Sequence, residues 1–190
     1  STNQALGDAS DCVLNPVFSC PDPIRGNNNI LVLCEVLNVD GSPHESNTRS
    51  NCEQVENRFK AHNCWVGLEQ EYCATGTGLA IGRDIAEKHL DACLAAGLGI
   101  SGINAEVMPG QWEFQIGPVS ILEGSDHLVI ARWLLHRIAE DYSVVVSFDG
   151  KPAFGDWNGA GCHTNFSTNR MRESYKACIA ACEALSERPE

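Results

Sequence analysis

The sequence predicts an α+β protein in which an antiparallel sheet is covered by helices. Strand-like and amphipathic helical segments are mixed along the chain, without the regular strand–helix–strand order of a parallel sheet. Two segments, Trp65–Tyr72 and Gln111–Ile116, alternate with a two-residue period, as expected for strands with one buried face. The 190 residues, 43% of them hydrophobic, suffice for one sizeable core.

The N-terminal quarter of the sequence predicts one buried strand between loops. Residues 1–28 are rich in Asn, Asp, Gly, Pro and Ser and predict a loop with one short strand near residues 12–14. Residues 29–36 are apolar and β-branched, which is typical of a buried strand. Turn-forming residues follow, and we expect a domain boundary at residues 40–46. Beyond it, Ser50 and Glu53 have the spacing of a capping box at the start of a helix.

The remainder of the sequence predicts helices and strands joined by a long loop. Predicted helices cover residues 85–96, 126–141 (with Ser125 as N-cap) and 174–185. Predicted strands cover residues 65–72, 103–108, 111–116 and 143–148. The segment Gly155–Thr168 is rich in Gly and Asn and predicts a loop.

Charge and hydropathy exclude several classes of function. The net charge of −12 is opposite to what a phosphate backbone attracts, so we expect no nucleic-acid partner. No apolar run approaches membrane-spanning length, and we expect no membrane association. The first residues lack the basic and apolar regions of a signal peptide. The ten cysteines include no Cys-x-x-Cys pair, which favours reduced thiols in a cytoplasmic protein over disulfides or zinc.

Two sheet segments each place carboxylates on one face. Glu69 and Glu71 share one side of their strand, and Glu106 and Glu113 lie on one face of the following hairpin. A solvated sheet surface would explain such a pattern. If the two segments converge, four carboxylates share one cavity, and their repulsion calls for divalent cations. Oxygen ligands of this kind favour Mg²⁺ or Mn²⁺ over zinc.

The segment Gly155–Asn165 is a third candidate for chemistry. Its glycines allow the backbone to approach a ligand closely. Asn158 offers an amide to a polar substrate, and His163 offers an imidazole to a metal. A structural turn would explain the same residues, because the spacing matches neither a P-loop nor a dinucleotide-binding motif. The other histidines are expected on the surface or on helix faces: His44, His62, His89, His127 and His136.

Several long motifs resemble those of glutamine synthetases of the eukaryotic type. They are Gly67–Tyr72, Gly82–Asp84, Asn104–Pro118 and Gly155–Arg172, and Asn28–Arg49 is similar too. The resemblance covers nearly the whole chain. It implies a ligase that phosphorylates the side-chain carboxylate of L-glutamate with ATP as co-substrate. Ammonia then displaces the phosphate, giving L-glutamine.

The resemblance also implies roles for the candidate residues. Glu71, Glu106 and Glu113 are expected to hold one Mg²⁺ or Mn²⁺, and Glu69 and His163 a second one near the nucleotide phosphates. The expected glutamate site consists of Asp156, Trp157, Asn158 and Gly159. The residues expected along ATP are Glu69, Glu113, Phe114, Gln115, Ile116, Gly117, Pro118, Asn165, Phe166 and Ser167.

The resemblance implies two domains, neither of them complete. Residues 1–41 are similar to the end of an N-terminal β-grasp domain, and residues 48–190 to part of the catalytic domain. We expect a Gly/Pro/Trp-rich loop of the family to be missing between Tyr72 and Cys73. The family's ammonium-binding Asp, phosphate-binding arginines and flap glutamate also have no counterpart, so its catalytic residues are unassigned. We therefore expect the sequence to be part of a longer polypeptide, with a naturally truncated relative as the alternative.

For the whole protein, the resemblance implies a cytoplasmic homo-oligomer of stacked rings, a decamer, with active sites between subunits. A plastid or mitochondrial form is an alternative location. Two other functions stay open: a non-catalytic relative with a structural or regulatory role, and a sister ligase that joins another amine to glutamate. The missing arginines favour the non-catalytic relative, whereas the retained carboxylates and His163 favour an enzyme.

Overall fold

The computed structural model describes residues 11–75 and 82–188 and confirms a mixed α+β architecture with antiparallel sheets. The strands are β1 (Val13–Pro21), β2 (Ile30–Leu37), β3 (Trp65–Thr75), β4 (Ile100–Ala105), β5 (Gln111–Val119), β6 (Val145–Ser147) and β7 (Cys162–Ser167). The helices are α1 (Thr48–Arg58), α2 (Arg83–Ala95), α3 (Ile121–Asp141), α4 (Asn169–Glu173) and α5 (Tyr175–Ser186), with a 3₁₀ turn at Lys60–His62 after α1.

The long strand β3 organises the main sheet. One of its edges pairs with β5, which in turn pairs with β4. Its other edge pairs with β7 along residues 65–70 and with β6 along residues 73–75. Residues 71 and 72 therefore face a gap between β7 and β6. The strand runs without a break through Tyr72 and Cys73, where the sequence predicts a missing loop.

One face of this sheet is covered by α2 and α3 and forms the core. Tyr72, Phe114 and Ile116 point from β3 and β5 into this layer, where they meet Leu134 and Leu135 of α3. All five are fully or almost fully buried, and burying each large apolar side chain contributes about 1.5–3 kcal/mol. The alternation predicted for the two strands is thus confirmed. Among the described helices, none has the length and apolar character needed to cross a bilayer.

A small antiparallel sheet of β1 and β2 docks on the helices through a charged network. Arg49 of α1 donates two hydrogen bonds to Asp126 of α3, from Nε to Oδ1 at 2.8 Å and from NH2 to Oδ2 at 2.9 Å. Its NH1 lies 3.9 Å from Glu35 of β2. Hydrogen bonds from Asn15 and Asn47, followed by the charge of Arg49, lower the pKa of Glu35. This network joins the hairpin, α1 and α3.

Several element boundaries differ from the sequence-based predictions. β1 is longer than expected because it pairs with β2 along nearly its whole length. Asn47, and not Ser50, caps α1, since its side chain accepts a hydrogen bond from the Ser50 amide. Likewise Ser120 caps α3, whereas Ser125 lies inside the helix and donates to the carbonyl of Ile121.

The end of the predicted loop at Gly155–Thr168 forms the strand β7, which pairs with β3. Polar residues dominate β7, so its strand conformation comes from pairing with its neighbour rather than from an apolar pattern.

Two of the histidines expected on the surface or on helix faces, His89 and His127, are buried. His89 is fully buried, and its Nε2 lies 2.9 Å from the carbonyl oxygen of Ala131. His127 accepts a hydrogen bond at Nδ1 from the amide of Gly99. Both residues lie on helix faces, which was one of the two expected places, but on the faces that pack inward and not on those open to solvent.

Candidate functional site

Three carboxylates converge on the sheet face that no described helix covers. Glu71 of β3 lies directly opposite Glu113 of β5 in the strand register. Glu106 reaches the same place from the turn after β4, where its amide donates to the carbonyl of Gln111. One ligand atom from each carboxylate lies within 4.8 Å of the others. The expected convergence of the two acidic segments therefore occurs for these three residues, here named the carboxylate triad.

The triad is electrostatically unfavourable without a counter-ion. Burial raises the pKa of Glu113, and the charges of Glu69, Glu106 and Glu71 raise it further, against the lowering effect of a hydrogen bond from Gln115. Glu113 is only 8% exposed, so water screens this repulsion poorly. Three oxygen donors at this spacing, one of them buried among like charges, fit a hard divalent cation such as Mg²⁺ or Mn²⁺.

Two carboxamides connect two members of the triad. Asn104 of β4 donates from Nδ2 to Glu106 Oε1 at 2.8 Å. Gln115 of β5 donates from Nε2 both to Asn104 Oδ1 and to Glu113 Oε1, each at 2.5 Å. The chain Glu106–Asn104–Gln115–Glu113 therefore restricts the orientation of both carboxylates. This role of Asn104 could not be predicted from the sequence, because an exposed Asn on a strand carries no signal of its own.

The fourth carboxylate, Glu69, pairs with the predicted metal-ligating histidine. β7 places His163 opposite Glu69, with His163 Nδ1 3.5 Å from Glu69 Oε2. Asn165 donates from Nδ2 to the other carboxylate oxygen, Glu69 Oε1. The structure thus brings Glu69 and His163 together beside the triad, and a shared cation at this pair stays a prediction.

A cleft of about 330 Å³ opens on the same side of the sheet. Eight of the ten residues expected along ATP line it: Glu69, Gln115, Ile116, Gly117, Pro118, Asn165, Phe166 and Ser167. Glu113 lies outside the cleft, in the triad. Phe114 does not line the cleft; its fully buried side chain lies in the core on the helix-covered face, as does that of Ile116.

Glycine is required at one point of this cleft. Gly117 has φ of +111°, and a Cβ there would lie 2.4 Å from the backbone oxygen of Val66. No side chain fits at that distance, so β3 and β5 approach each other closely here only because residue 117 is glycine.

The four residues expected to bind glutamate lie in a solvent-exposed loop between β6 and β7. Asp156, Trp157, Asn158 and Gly159 are all exposed. A hydrogen bond from the amide of Ala160 to the carbonyl of Gly150 closes the base of this loop, residues 150–161. A Cβ at residue 159 would lie 2.9 Å from that same carbonyl, which excludes other residues there without a backbone shift.

The 150–161 loop ends directly at the triad. Glu71 Oε2 accepts a hydrogen bond from the amide of Gly161 at 2.6 Å. Three further side chains, which are not among the predicted site residues, hold this region: Gln70, Gln111 and Arg132. Gln70 did carry a signal, since it is a polar residue on the face predicted to be apolar. Gln111 shares the two-residue period of Glu113 and so belongs to the polar face of its strand, although it is only 2% exposed.

Comparisons with known proteins agree with the resemblance seen in the sequence. Residues 45–185 match the family model for the glutamine synthetase catalytic domain. A glutamine synthetase of Streptomyces viridochromogenes is 58% identical over 211 residues, which cover 98% of this chain and 62% of the relative. The chloroplastic glutamine synthetase of Chlamydomonas reinhardtii is 48% identical, covering 98% of this chain and 57% of the relative. That of Agaricus bisporus is 48% identical, covering 99% and 61%.

The matches are longer than the chain itself, so the relatives contain stretches without a counterpart in these 190 residues. The chain spans about three-fifths of the length of these relatives. Because the relatives come from both bacteria and eukaryotes, the narrower assignment to a eukaryotic type stays a prediction.

Proposed function

The chain belongs to the glutamine synthetase family, and from this premise we propose that the protein containing it ligates ammonia to L-glutamate with ATP as co-substrate, through a γ-glutamyl phosphate. The observation that carries the proposal is the triad of Glu71, Glu106 and Glu113, set beside a cleft and a glycine-rich loop. Phosphoryl transfer needs concentrated negative charge to be neutralised and the reacting groups to be held in line. The triad suits that task because its three carboxylates can hold the cation that neutralises this charge.

Each part of the site receives a role in this proposal. The triad would hold one Mg²⁺ or Mn²⁺, and Glu69 with His163 would hold the second. Such cations, when bound, neutralise the charge of the transferred phosphoryl group and align it with its acceptor. The cleft between β3, β5 and β7 would receive the nucleotide.

The 150–161 loop would orient glutamate. Asn158 can donate a side-chain amide to a substrate carboxylate, and Gly159 lets the backbone approach it. The loop leaves the sheet at Gly161, which is bonded to Glu71, so a glutamate held there lies next to the triad. This proximity is what joining two bound substrates requires.

We also propose that neighbouring subunits complete the site in a homo-oligomer of stacked rings. The cleft and the loop are open to solvent, and Trp157 at the loop tip is 52% exposed. A native mass measurement of the natural protein tests this: a ring assembly is expected, and a monomer would contradict it.

The function is tested by assaying the natural full-length polypeptide for glutamine and ADP. Both products are expected only when glutamate, ammonia, ATP and Mg²⁺ are all present. Glu71→Gln should abolish them, whereas Glu53→Gln, the same change on the exposed face of α1, should not. Product with methylamine but not with ammonia would favour a sister ligase. No product with any amine, from an intact protein, would favour a non-catalytic relative.

A further inference from the structure

Two buried carboxamides attach the 150–161 loop to the sheet. Gln70 of β3 donates from Nε2 to the carbonyl oxygen of Gly161 at 3.1 Å and to that of Glu71 at 2.7 Å. Gln111 of β5 donates from Nε2 to the carbonyl oxygen of Gly159 at 2.9 Å. Both glutamines are only 2% exposed. Two different strands therefore hold the same short stretch of loop backbone through the same chemistry.

A cation fixes the orientation of one of these amides. Arg132 of α3 donates from Nε to Gln70 Oε1 at 2.8 Å, and its NH2 donates to the same oxygen. The guanidinium also lies 5.4 Å from the centre of the Phe148 ring. Because the oxygen of Gln70 is taken by the cation, its NH₂ group must face the loop.

The attachment lies where the sheet has no regular strand. β7 pairs with β3 only as far as Gln70, and β6 begins to pair at Cys73. In between, Gly161 bonds to Glu71 twice: its carbonyl accepts from the Glu71 amide at 3.0 Å, and its amide donates to Glu71 Oε2. Gln70 supplies a further donor at this gap, where regular strand pairing is interrupted.

We propose that Gln70 and Gln111 are positioning residues for the glutamate site, here named the amide clamp, and that Arg132 orients Gln70. The inference rests on the proposed function, because it gives the 150–161 loop the task of holding glutamate. The four predicted glutamate-binding residues are exposed, so burial in a core does not fix their positions. The clamp holds the loop before substrate arrives, which reduces the ordering that binding must supply.

Glutamine is suited to this task in a way that its closest isostere is not. A carboxylate has the same shape but no hydrogen to donate. Glutamate at residue 70 or 111 would therefore place a carboxylate oxygen against a loop carbonyl oxygen, and no hydrogen bond could form between these two acceptors. At residue 111 it would also add a negative charge close to the triad. Gln→Glu therefore removes the clamp with almost no change in volume.

The test compares Gln70→Glu and Gln111→Glu with Gln54→Glu in the natural full-length polypeptide. Gln54 lies exposed on α1 and provides the same chemical change away from the site. Hydrogen exchange is measured without substrates, and KM and kcat are measured for glutamate and ATP. The clamp variants should show about 10-fold faster exchange confined to residues 150–161 and a KM for glutamate raised by about 10-fold. The KM for ATP and the behaviour of Gln54→Glu should stay within about twofold of the parent protein.

A second variant keeps the test decisive if a clamp variant fails to fold. Arg132→Lys retains the charge but loses the planar fork, so it should raise loop exchange and the KM for glutamate in the same direction by a smaller factor. Unchanged loop exchange would overturn the proposal. So would exchange that rises evenly over the chain, or a loop that loosens without any change in the KM for glutamate.

Failure of the ligase proposal is recognised separately. If the parent protein forms no glutamine, the proposed function fails, and the clamp is then judged by exchange alone. Faster exchange confined to residues 150–161 would still support the clamp as the anchor of the loop, and its absence would overturn it.

Discussion

The two faces of β3 and β5 are built from alternate residues of the same strands and have opposite properties. One face carries Tyr72, Phe114 and Ile116, which are almost completely removed from water beneath α2 and α3. The other carries Glu71 and Glu113, whose carboxylates lie close together. The first face stabilises the fold through burial of apolar surface. The second opposes folding, because the like charges repel at short distance.

This difference indicates that one face of the sheet provides stability and the other provides the functional site. Strand alternation lets a stable core hold an unfavourable cluster in place, since Glu71 and Glu113 each lie between two buried residues of their strand. Substitutions on the acidic face should therefore alter cation binding and catalysis while leaving stability intact, and substitutions on the helix-covered face should do the reverse.

The largest effect is expected from Glu113→Gln on the acidic face. Removing one anionic ligand should lower cation affinity and glutamine formation by about 1,000-fold or more, equivalent to roughly 4 kcal/mol. The cation-free variant should at the same time melt at an unchanged or higher temperature. Burial and three neighbouring carboxylates raise the pKa of Glu113, which means that they disfavour its charged form, and the neutral Gln removes this cost. Isothermal titration with Mn²⁺ and calorimetric melting measure the two outcomes. Glu87→Gln on the exposed face of α2 is the control, and a marked loss of stability in Glu113→Gln would contradict the comparison.

The next largest effect is expected from Leu134→Ala on the helix-covered face. Leu134 is fully buried between α3 and the sheet, so its truncation should lower the free energy of unfolding by about 2–5 kcal/mol. Leu94→Ala, the same change at a side chain that is 56% exposed on α2, should cost less than about 0.5 kcal/mol. Urea unfolding measures both. The KM values of folded Leu134→Ala at low temperature should equal those of the parent, and altered KM values would show that the two faces are coupled.

The sequence was sufficient to predict the faces of the two strands, because alternation depends only on neighbouring residues. Glu69 and Glu71 were separated from Val66, Leu68 and Tyr72 by the two-residue period alone, and the structure confirms this. The convergence of Glu106 with the other carboxylates needed strand register, which one sequence leaves open. The specific roles came only with the family resemblance.

Features that depend on contacts distant in sequence could not be predicted. β7 has no apolar alternation, and it is a strand because its backbone pairs with that of β3. Asn47 displaces Ser50 as a helix cap because its side chain is held beside Glu35. Arg132 looks like any polar residue on an amphipathic helix, and only the packing of α3 reveals its bond to Gln70.

Acid should affect the two faces in opposite directions. Burial lowers the pKa of His89 to about 4 from an ordinary value near 6.5, whereas the pKa of Glu113 is raised. The unfolded chain thus binds a proton at His89 below pH 6.5 that the folded protein rejects down to about pH 4. The stability that neutral His89 contributes is present above pH 6.5 and is lost as the pH falls to 4, up to roughly 3 kcal/mol.

This loss can be assigned to one residue by removing the imidazole. Urea unfolding between pH 4.5 and 7 should show a weaker pH dependence in His89→Leu than in the parent protein. Among the described contacts, the His89 ring touches only Phe114, Cys93 and the carbonyl of Ala131. No acidic neighbour is therefore expected to offset the effect. An identical pH dependence in both proteins would contradict the assignment. The pKa of Glu113 is raised and its protonation relieves repulsion, so this opposing trend should remain in the variant.

The smallest effect, and the finest test of the acidic face, is expected from Asn104→Ala. Asn104 is exposed and adds little to the core, so the free energy of unfolding should change by less than about 0.5 kcal/mol. Its amide nevertheless orients Glu106 directly and Glu113 through Gln115. Loss of such a supporting contact should weaken Mn²⁺ binding by about 10-fold. Asn51→Ala on exposed α1 is the matched control and should leave Mn²⁺ affinity unchanged. If Asn104→Ala binds Mn²⁺ as tightly as the parent, strand register alone orients the carboxylates, and the acidic face needs no support beyond the core beneath it.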